Sequence, residues 1–133
     1  MHTTALAYPP LFACPVAAGF PSPADDYIDK PLCLNELLVP RPAATFFVHM
    51  PDDSLTGCRI WPGDILIVDR SLKPTDGRLV AARVHGEVIV RRLVVRGCQG
   101  WLQPENAAYP TIELREGLDY QILGVVRHQI HTV

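Results

Sequence analysis

The chain lacks the features that mark a membrane protein or a secreted precursor. No apolar run approaches the ~20 residues that a membrane-spanning helix needs. The first apolar stretch, residues 5–20, is interrupted by Pro9, Pro10 and Pro15. It also has no basic segment before it, unlike a secretory signal. We therefore expect a soluble protein of the cytoplasm.

An excess of positive charge is missing as well. Lysine and arginine together number 12 against 14 acidic residues, which gives a formal net charge of -2. Proteins that hold the DNA backbone normally present a basic patch, so direct sequence-specific DNA binding is not predicted. The length of 133 residues allows one domain of ordinary size, and 48% hydrophobic residues suffice for a single core.

Clusters of metal-ligating residues are also absent from the pattern. The four cysteines form no C-x-x-C pair, so neither a zinc site nor a redox motif is predicted, and we expect free thiols. They are Cys14, Cys33, Cys58 and Cys98. His128 and His131 are three residues apart, which on a strand places them on opposite faces. We predict no metal and no cofactor.

Proline divides the chain into two parts. Residues 1–31 contain six of the 13 prolines, and each proline restricts its own backbone and that of its predecessor. We interpret this part as a flexible N-terminal arm and residues 32–133 as the folded domain. Residues 32–39 (LCLNELLV) predict one short helix with Asn35 near its start, ended by Pro40.

The domain itself has mainly β-type patterns. Short apolar runs alternate with turn residues, and they predict strands over residues 45–49, 65–69, 79–84, 87–95, 101–104 and 121–130. His85-Gly86 between two of these runs is typical of a tight hairpin, because Gly86 can adopt a positive φ.

Ser54 stands where a strand (TFFVHM) gives way to a polar bend (PDDS) and then to the turn and strand GDILIVD. A nucleophile at a strand end is exposed yet rigidly held, so the position suits catalysis. Serine is also a common loop and capping residue, and on the pattern alone that structural role is the favoured interpretation.

The order of these elements resembles a known family, the self-cleaving serine peptidases of the UmuD and LexA type (family S24). The matching segments are GFPSPADDY at 19–27, LNELL at 34–38, ATFFV at 44–48, DS at 53–54, GDILIVD at 63–69, GEVIVRRL at 86–93, PENAAY at 104–109 and GVV at 124–126. The resemblance covers nearly the whole chain. It implies the LexA/UmuD C-terminal peptidase-like β fold, with a short helix and an extended N-terminal arm.

The resemblance also implies a function. In this family a serine attacks a peptide bond of the domain's own arm, and a neutral lysine takes the serine proton. Ser54 matches the nucleophile, and Ala18-Gly19 matches the bond that is cut. The family further implies a homodimer, promotion of cleavage by the RecA filament, and service as an accessory subunit to a UmuC-type Y-family polymerase in error-prone translesion synthesis.

The lysine position departs from the family, because Arg91 of VRRL occupies it. A buried lysine can become neutral near pH 7 and accept a proton, whereas a guanidinium stays protonated. Lys30 and Lys73, the only lysines, do not fall at this position. Two hypotheses follow. The protein is a working autopeptidase with another base, or it is a non-cleaving pseudoenzyme that acts on a polymerase or on active homologues.

Several other residues either depart from the family pattern beside Ser54 or could be proposed for a role in its chemistry. Asp52 stands where the family usually has glycine, and Leu55 where it usually has methionine. His49 could be proposed as a base but is better explained as a surface or interface histidine. Asp64 and Asp69 bracket a strand with a spacing that fits turn and strand-end roles.

Two related classes are disfavoured by the length and hydrophobicity of the chain. A LexA-type repressor needs a helical DNA-binding domain ahead of the arm, and residues 1–31 are too few and too rich in proline. Signal peptidases share the serine–lysine chemistry but need a membrane anchor.

Overall fold

The computed structural model describes residues 33–133, which form an antiparallel β-sheet preceded by a short helix. The elements are α1 (Leu34–Leu38), β1 (Thr45–His49), β2 (Ile65–Asp69), β3 (Leu79–Val84), β4 (Glu87–Arg96), β5 (Gln99–Gln103), β6 (Ile112–Glu113) and β7 (Tyr120–Ile130). Single turns of 3₁₀ helix lie at Pro42–Ala44 and Thr56–Cys58. The predicted fold class, mainly β with a short helix, is confirmed. Across this part of the chain no helix has the length and apolarity to cross a membrane.

Strand β7 is an interior strand that connects the two parts of the sheet. The strand order is β1-β2-β7-β3-β4-β5-β6, and β7 pairs antiparallel with β2 on one side and with β3 on the other. Both registers shift once, between Ile67 and Val68 and between Ala81 and Ala82. An extra residue of this kind bends a strand and increases its twist. β7 therefore joins β1 and β2 to the run of hairpins from β3 to β6.

The core lies on both sides of this sheet. The largest cluster of buried residues packs strands β1 and β2 against the segment between them and consists of Phe46, Val48, Met50, Leu55, Ile60, Leu66, Val68, Ala81 and Val90. A second cluster contains Val80, Ala82, Val84, Leu93, Leu102 and Val125. Helix α1 is held by a third, in which Leu38 and Val39 contact Phe47 and Ile67. Strands whose consecutive residues are buried, such as β1 and β2, are thus apolar on both faces.

The turn between β3 and β4 forms as its sequence predicts. Val84 pairs with Glu87, so His85 and Gly86 make a two-residue hairpin loop. Both residues have positive φ, 50° and 82°, the combination that matches the twist of the flanking strands.

The predicted strands are all present, with ends displaced by at most two residues. β6 was not predicted, because two residues are too few for a pattern to be seen. The helix is shorter than predicted and covers Leu34–Leu38. Cys58 and Cys98 are free thiols, but Cys33 is disulfide-bonded, so the expectation of free thiols is wrong there. Sequence separation alone does not report the distance between two sulfur atoms in the fold.

Gly124 provides a test of the packing of β7 on β2. A Cβ at this position would lie 2.7 Å from Val68 Cγ1 and 2.9 Å from the Asp69 carbonyl oxygen. We expect Gly124→Ala to lower the free energy of unfolding by about 1–3 kcal/mol through overpacking, measured by urea denaturation. Gly100→Ala is the matched control, because its Cβ would meet Leu114 at 3.5 Å, and an equal loss in both variants would contradict this explanation.

Asp69 lies at the end of β2 and is 2% exposed. Its buried carboxyl should make the stability of the fold sensitive to acid. Burial alone would raise the pKa of this carboxyl, but hydrogen bonds from Ser71 and the Arg41 guanidinium outweigh it and lower the pKa below its ordinary value. A lowered folded pKa stabilises the protein above the unfolded value of ~3.9 and the benefit disappears as the pH falls through the folded pKa.

We expect Asp69→Asn to lower the free energy of unfolding by about 1–3 kcal/mol at pH 6. The difference from the wild type should shrink as the pH falls below the unfolded value of ~3.9 and through the lowered folded pKa, since the wild-type carboxyl then becomes neutral as well. Urea titrations at several pH values measure this. Glu116→Gln, at an exposed site, is the control. A difference that is independent of pH would contradict the role given to the charge.

Candidate active site

Ser54 lies on a loop, here called the serine loop (residues 51–58), that follows β1. The loop begins where Met50 exchanges backbone hydrogen bonds with the turn before β2, accepting from the Gly63 N–H and donating to the Asp64 carbonyl. Ser54 is fully buried, with 0% of its surface exposed. The expectation of an exposed nucleophile is therefore wrong, because the loop folds back over the sheet after the strand ends.

The serine loop is fastened to a second segment, residues 104–109. The Glu105 N–H donates to the Ser54 carbonyl at 2.7 Å, and the Gly57 N–H donates to the Glu105 carbonyl at 2.8 Å. A Cβ at Gly57 would collide with the Glu105 carbonyl oxygen, so the close approach requires glycine. Asn106 Nδ2 and the Tyr109 hydroxyl also donate to Asp53, at 2.9 and 2.6 Å. Residues 104–109 thus hold the backbone both before and after Ser54.

Arg91 projects from β4 directly onto Ser54. Its Nη1 donates to Ser54 Oγ at 2.8 Å and to the Val90 carbonyl at 2.9 Å. The residue is 4% exposed, and its guanidinium lies 5.4 Å from the centre of the Tyr109 ring. Its Nε is buried without a hydrogen-bond partner among residues 33–133. The structure thus places the two residues selected from the sequence in direct contact.

The charge of Arg91 is only partly compensated. Among residues 33–133, the carboxylate that forms an ion pair with Arg91 is that of Asp52, whose Oδ2 lies 4.0 Å from Nη1. Burial lowers the pKa of Arg91, while Asp52 and Tyr109 act in the opposite direction. From so high an ordinary value the guanidinium remains protonated at neutral pH. It is therefore a donor to Ser54 Oγ and has no lone pair with which to take the serine proton.

Asp52 touches the nucleophile position from its other side. Its Oδ1 accepts a hydrogen bond from the backbone N–H of Ser54 at 3.0 Å. The sequence marked Asp52 only as a departure from the family's glycine, and nothing in the pattern revealed this contact. Tyr109 was likewise part of a matching segment without an assigned role.

The remaining candidates lie apart from this arrangement. His49 is exposed at the end of β1, and Lys73 is exposed after β2. His131 follows β7 and its Nδ1 lies 2.6 Å from Asp64 Oδ1, so Asp64 has the turn role expected of it. Over residues 33–133 no group of three or more potential ligands could hold a metal ion. Ala18, Gly19 and Lys30 lie outside the described residues.

Comparison with known proteins identifies the family. The model of the family described as Peptidase S24-like matches residues 10–127. The chain belongs to this family. It is 44% identical over 122 residues to the protein SamA of Salmonella typhimurium (92% of this chain, 84% of the relative) and 38% identical over 122 residues to the protein MucA of Escherichia coli (91% and 83%). A LexA repressor of Acidithiobacillus ferrooxidans is 36% identical over 119 residues, which cover 84% of this chain but 58% of the repressor.

These matches confirm the family predicted from the sequence, a peptidase S24-like protein of the UmuD type related to SOS mutagenesis proteins. In this S24-like chain a serine and an arginine, joined by a hydrogen bond, occupy the positions at which the family resemblance puts the nucleophile and its base.

The contact between Ser54 and Arg91 predicts a measurable energetic coupling. We expect Ser54→Ala to lower the free energy of unfolding by about 1–3 kcal/mol, because it leaves a buried guanidinium N–H without an acceptor. In an Arg91→Met background the same change should cost less, with a coupling of about 0.5–3 kcal/mol. Urea denaturation of the four proteins of this double-mutant cycle measures it. Additive effects would show that the hydrogen bond contributes nothing.

Proposed function

We propose that this protein is a UmuD-type accessory subunit of error-prone translesion synthesis in which the self-cleaving serine peptidase centre is silent. The observation that carries the proposal is the 2.8 Å hydrogen bond from Arg91 Nη1 to Ser54 Oγ. An arginine in this place donates a hydrogen bond to the serine oxygen, where the reaction requires a group that accepts the serine proton.

The chemistry of self-cleavage explains why this substitution matters. In the family reaction the serine Oγ would bond to the carbonyl carbon of Ala18 while its proton passes to a neutral amine. The C–N bond to Gly19 would then break, and the Gly19 nitrogen would leave with that proton. Water would finally hydrolyse the ester left between Ser54 Oγ and Ala18, which releases residues 1–18 and restores the serine. General-base assistance contributes about 100- to 10,000-fold to such a step. Arg91 is protonated and cannot supply it, so Ser54 remains a weak nucleophile.

A working autopeptidase is the second candidate. It is favoured by the membership of the S24-like family and by a serine loop that is rigidly held by residues 104–109. This alternative needs a base other than Arg91, such as a water molecule.

The partners proposed are those of the UmuD type: a second copy of the chain, the RecA filament and a UmuC-type Y-family polymerase subunit, all in the cytoplasm. A silent centre is compatible with each of these contacts, because binding a polymerase or pairing with an active homologue does not use the serine. On this proposal the protein acts by association and keeps its arm, the predicted residues 1–31.

We expect the purified protein to keep its full mass at raised pH and also with activated RecA filaments. Arg91→Lys should introduce slow loss of residues 1–18, because a buried lysine can become neutral and accept the serine proton. Mass spectrometry over time measures both. Ser54→Ala combined with Arg91→Lys is the control and should stay intact. Loss of residues 1–18 from the unchanged protein would contradict the proposal.

A further inference from the structure

The backbone N–H of Ser54 is already occupied in this structure. It donates to Asp52 Oδ1 at 3.0 Å, the turn that an aspartate commonly forms with the second residue after it. The side chain of Asp52 is 25% exposed, so its carboxylate lies at the entrance to a serine that is itself fully buried.

The backbone N–H of the nucleophile has a specific function in a serine peptidase, which is to stabilise negative charge on the substrate. When the nucleophile oxygen bonds to a carbonyl carbon and its proton passes to the base, the carbonyl oxygen becomes negatively charged. Backbone N–H groups about 2.7–3.1 Å from that oxygen stabilise it, and the N–H of the nucleophile itself is a recurring member of the set. Removing one such donor costs about 100- to 1,000-fold in rate.

We infer that Asp52 is a second block on self-cleavage, independent of Arg91, because its carboxylate occupies the place that the oxyanion would take at the Ser54 N–H. The inference rests on the proposed function in that Ser54 is taken as the former nucleophile. Asp52 Oδ1 lies at the distance from the nitrogen at which a developing oxyanion would lie. An oxygen already bound to this N–H takes the place of the oxyanion, so the side chain at residue 52 has to leave before the N–H can stabilise the reaction.

Asp52 also acts on the position of the base. Its Oδ2 lies 4.0 Å from Arg91 Nη1, and within residues 33–133 Asp52 and Tyr109 are the titratable groups whose charges act on this position. A lysine placed there would be kept protonated by the carboxylate, which raises the pKa of a neighbouring cation. The glycine usual in the family has no side chain and exerts neither effect.

Two substitutions of Asp52, each made in the Arg91→Lys protein, separate these effects. Asp52→Asn removes the charge but keeps an oxygen that can accept from the Ser54 N–H, whereas Asp52→Ala removes both. We expect Asp52→Ala to raise the maximal rate of self-cleavage about 100-fold, and Asp52→Asn to leave it near that of Arg91→Lys alone. Both should move the pH midpoint of the rate to lower values, because the lysine then loses its proton more easily. The measurement is the rate at which residues 1–18 are lost across a pH series.

The outcome is separable from that of the proposed function, which is decided by the unchanged protein. Asp52→Ala alone, with Arg91 retained, should remain uncleaved. If Asp52→Ala with Arg91→Lys is cleaved no faster than Arg91→Lys, including the case in which neither is cleaved, the role given to Asp52 is wrong.

A second readout does not depend on cleavage. In proteins that retain Arg91, the amide proton resonance of Ser54 should move upfield in Asp52→Ala, which loses the acceptor, and stay nearly unchanged in Asp52→Asn. An Asp52→Ala spectrum with an unmoved Ser54 amide would equally overturn the inference.

Discussion

Strand β7 lies between β2 and β3 and is hydrogen-bonded to both, and the rest of the architecture depends on this double pairing. Ser54 arrives on the loop that joins β1 to β2, whereas Arg91 lies on β4, beyond β7 and β3 in the sheet. The two residues are 37 positions apart in the chain. Their contact exists because β7 fixes one half of the sheet against the other, and because Gly124 allows β7 to approach β2 closely.

The interior beside Ser54 contains a buried cation, the guanidinium of Arg91. Withdrawing a cation from water costs several kcal/mol unless hydrogen bonds and opposite charge replace the solvent. Arg91 is given two hydrogen-bond acceptors, an aromatic face and a carboxylate at 4.0 Å, while its Nε has no partner in the described part of the chain. Such a site is not an efficient way to stabilise a sheet. It is consistent with the proposed function, in which a buried polar pair occupies the positions that the family resemblance gives to the nucleophile and its base.

Two residues set this chain apart from the chemistry its family resemblance implies. Arg91 replaces a group that can lose a proton with a group that cannot, and Asp52 adds a carboxylate beside the amide of the serine. The surrounding framework is intact, with the serine loop bound to residues 104–109 through backbone hydrogen bonds. The arrangement of the sheet does not depend on these two side chains, because folding depends on the packed sheet and catalysis on a few side chains.

Much of the fold was predictable because its signals are local. The strands follow from apolar runs bounded by turn residues, and the hairpin at His85-Gly86 follows from the backbone freedom of glycine. β6 could not be predicted because two residues are too few to show a period. The burial of Ser54 could not be predicted because it arises from a loop that folds back over strands distant in sequence. The membership of the family was predictable from ordered matching segments along nearly the whole chain.

What the sequence by itself determined is the chemistry of each group at the candidate site. A guanidinium cannot accept the proton of a serine at neutral pH wherever it lies, so the identity of residue 91 alone shows that this side chain cannot be the base that the resemblance implies at its position. Only the tertiary structure decided what the side chains contact: that Arg91 donates to Ser54 Oγ, and that Asp52 accepts from the Ser54 amide. The physical reason is that ionisation belongs to the residue type, whereas a hydrogen bond depends on distances that the whole fold sets.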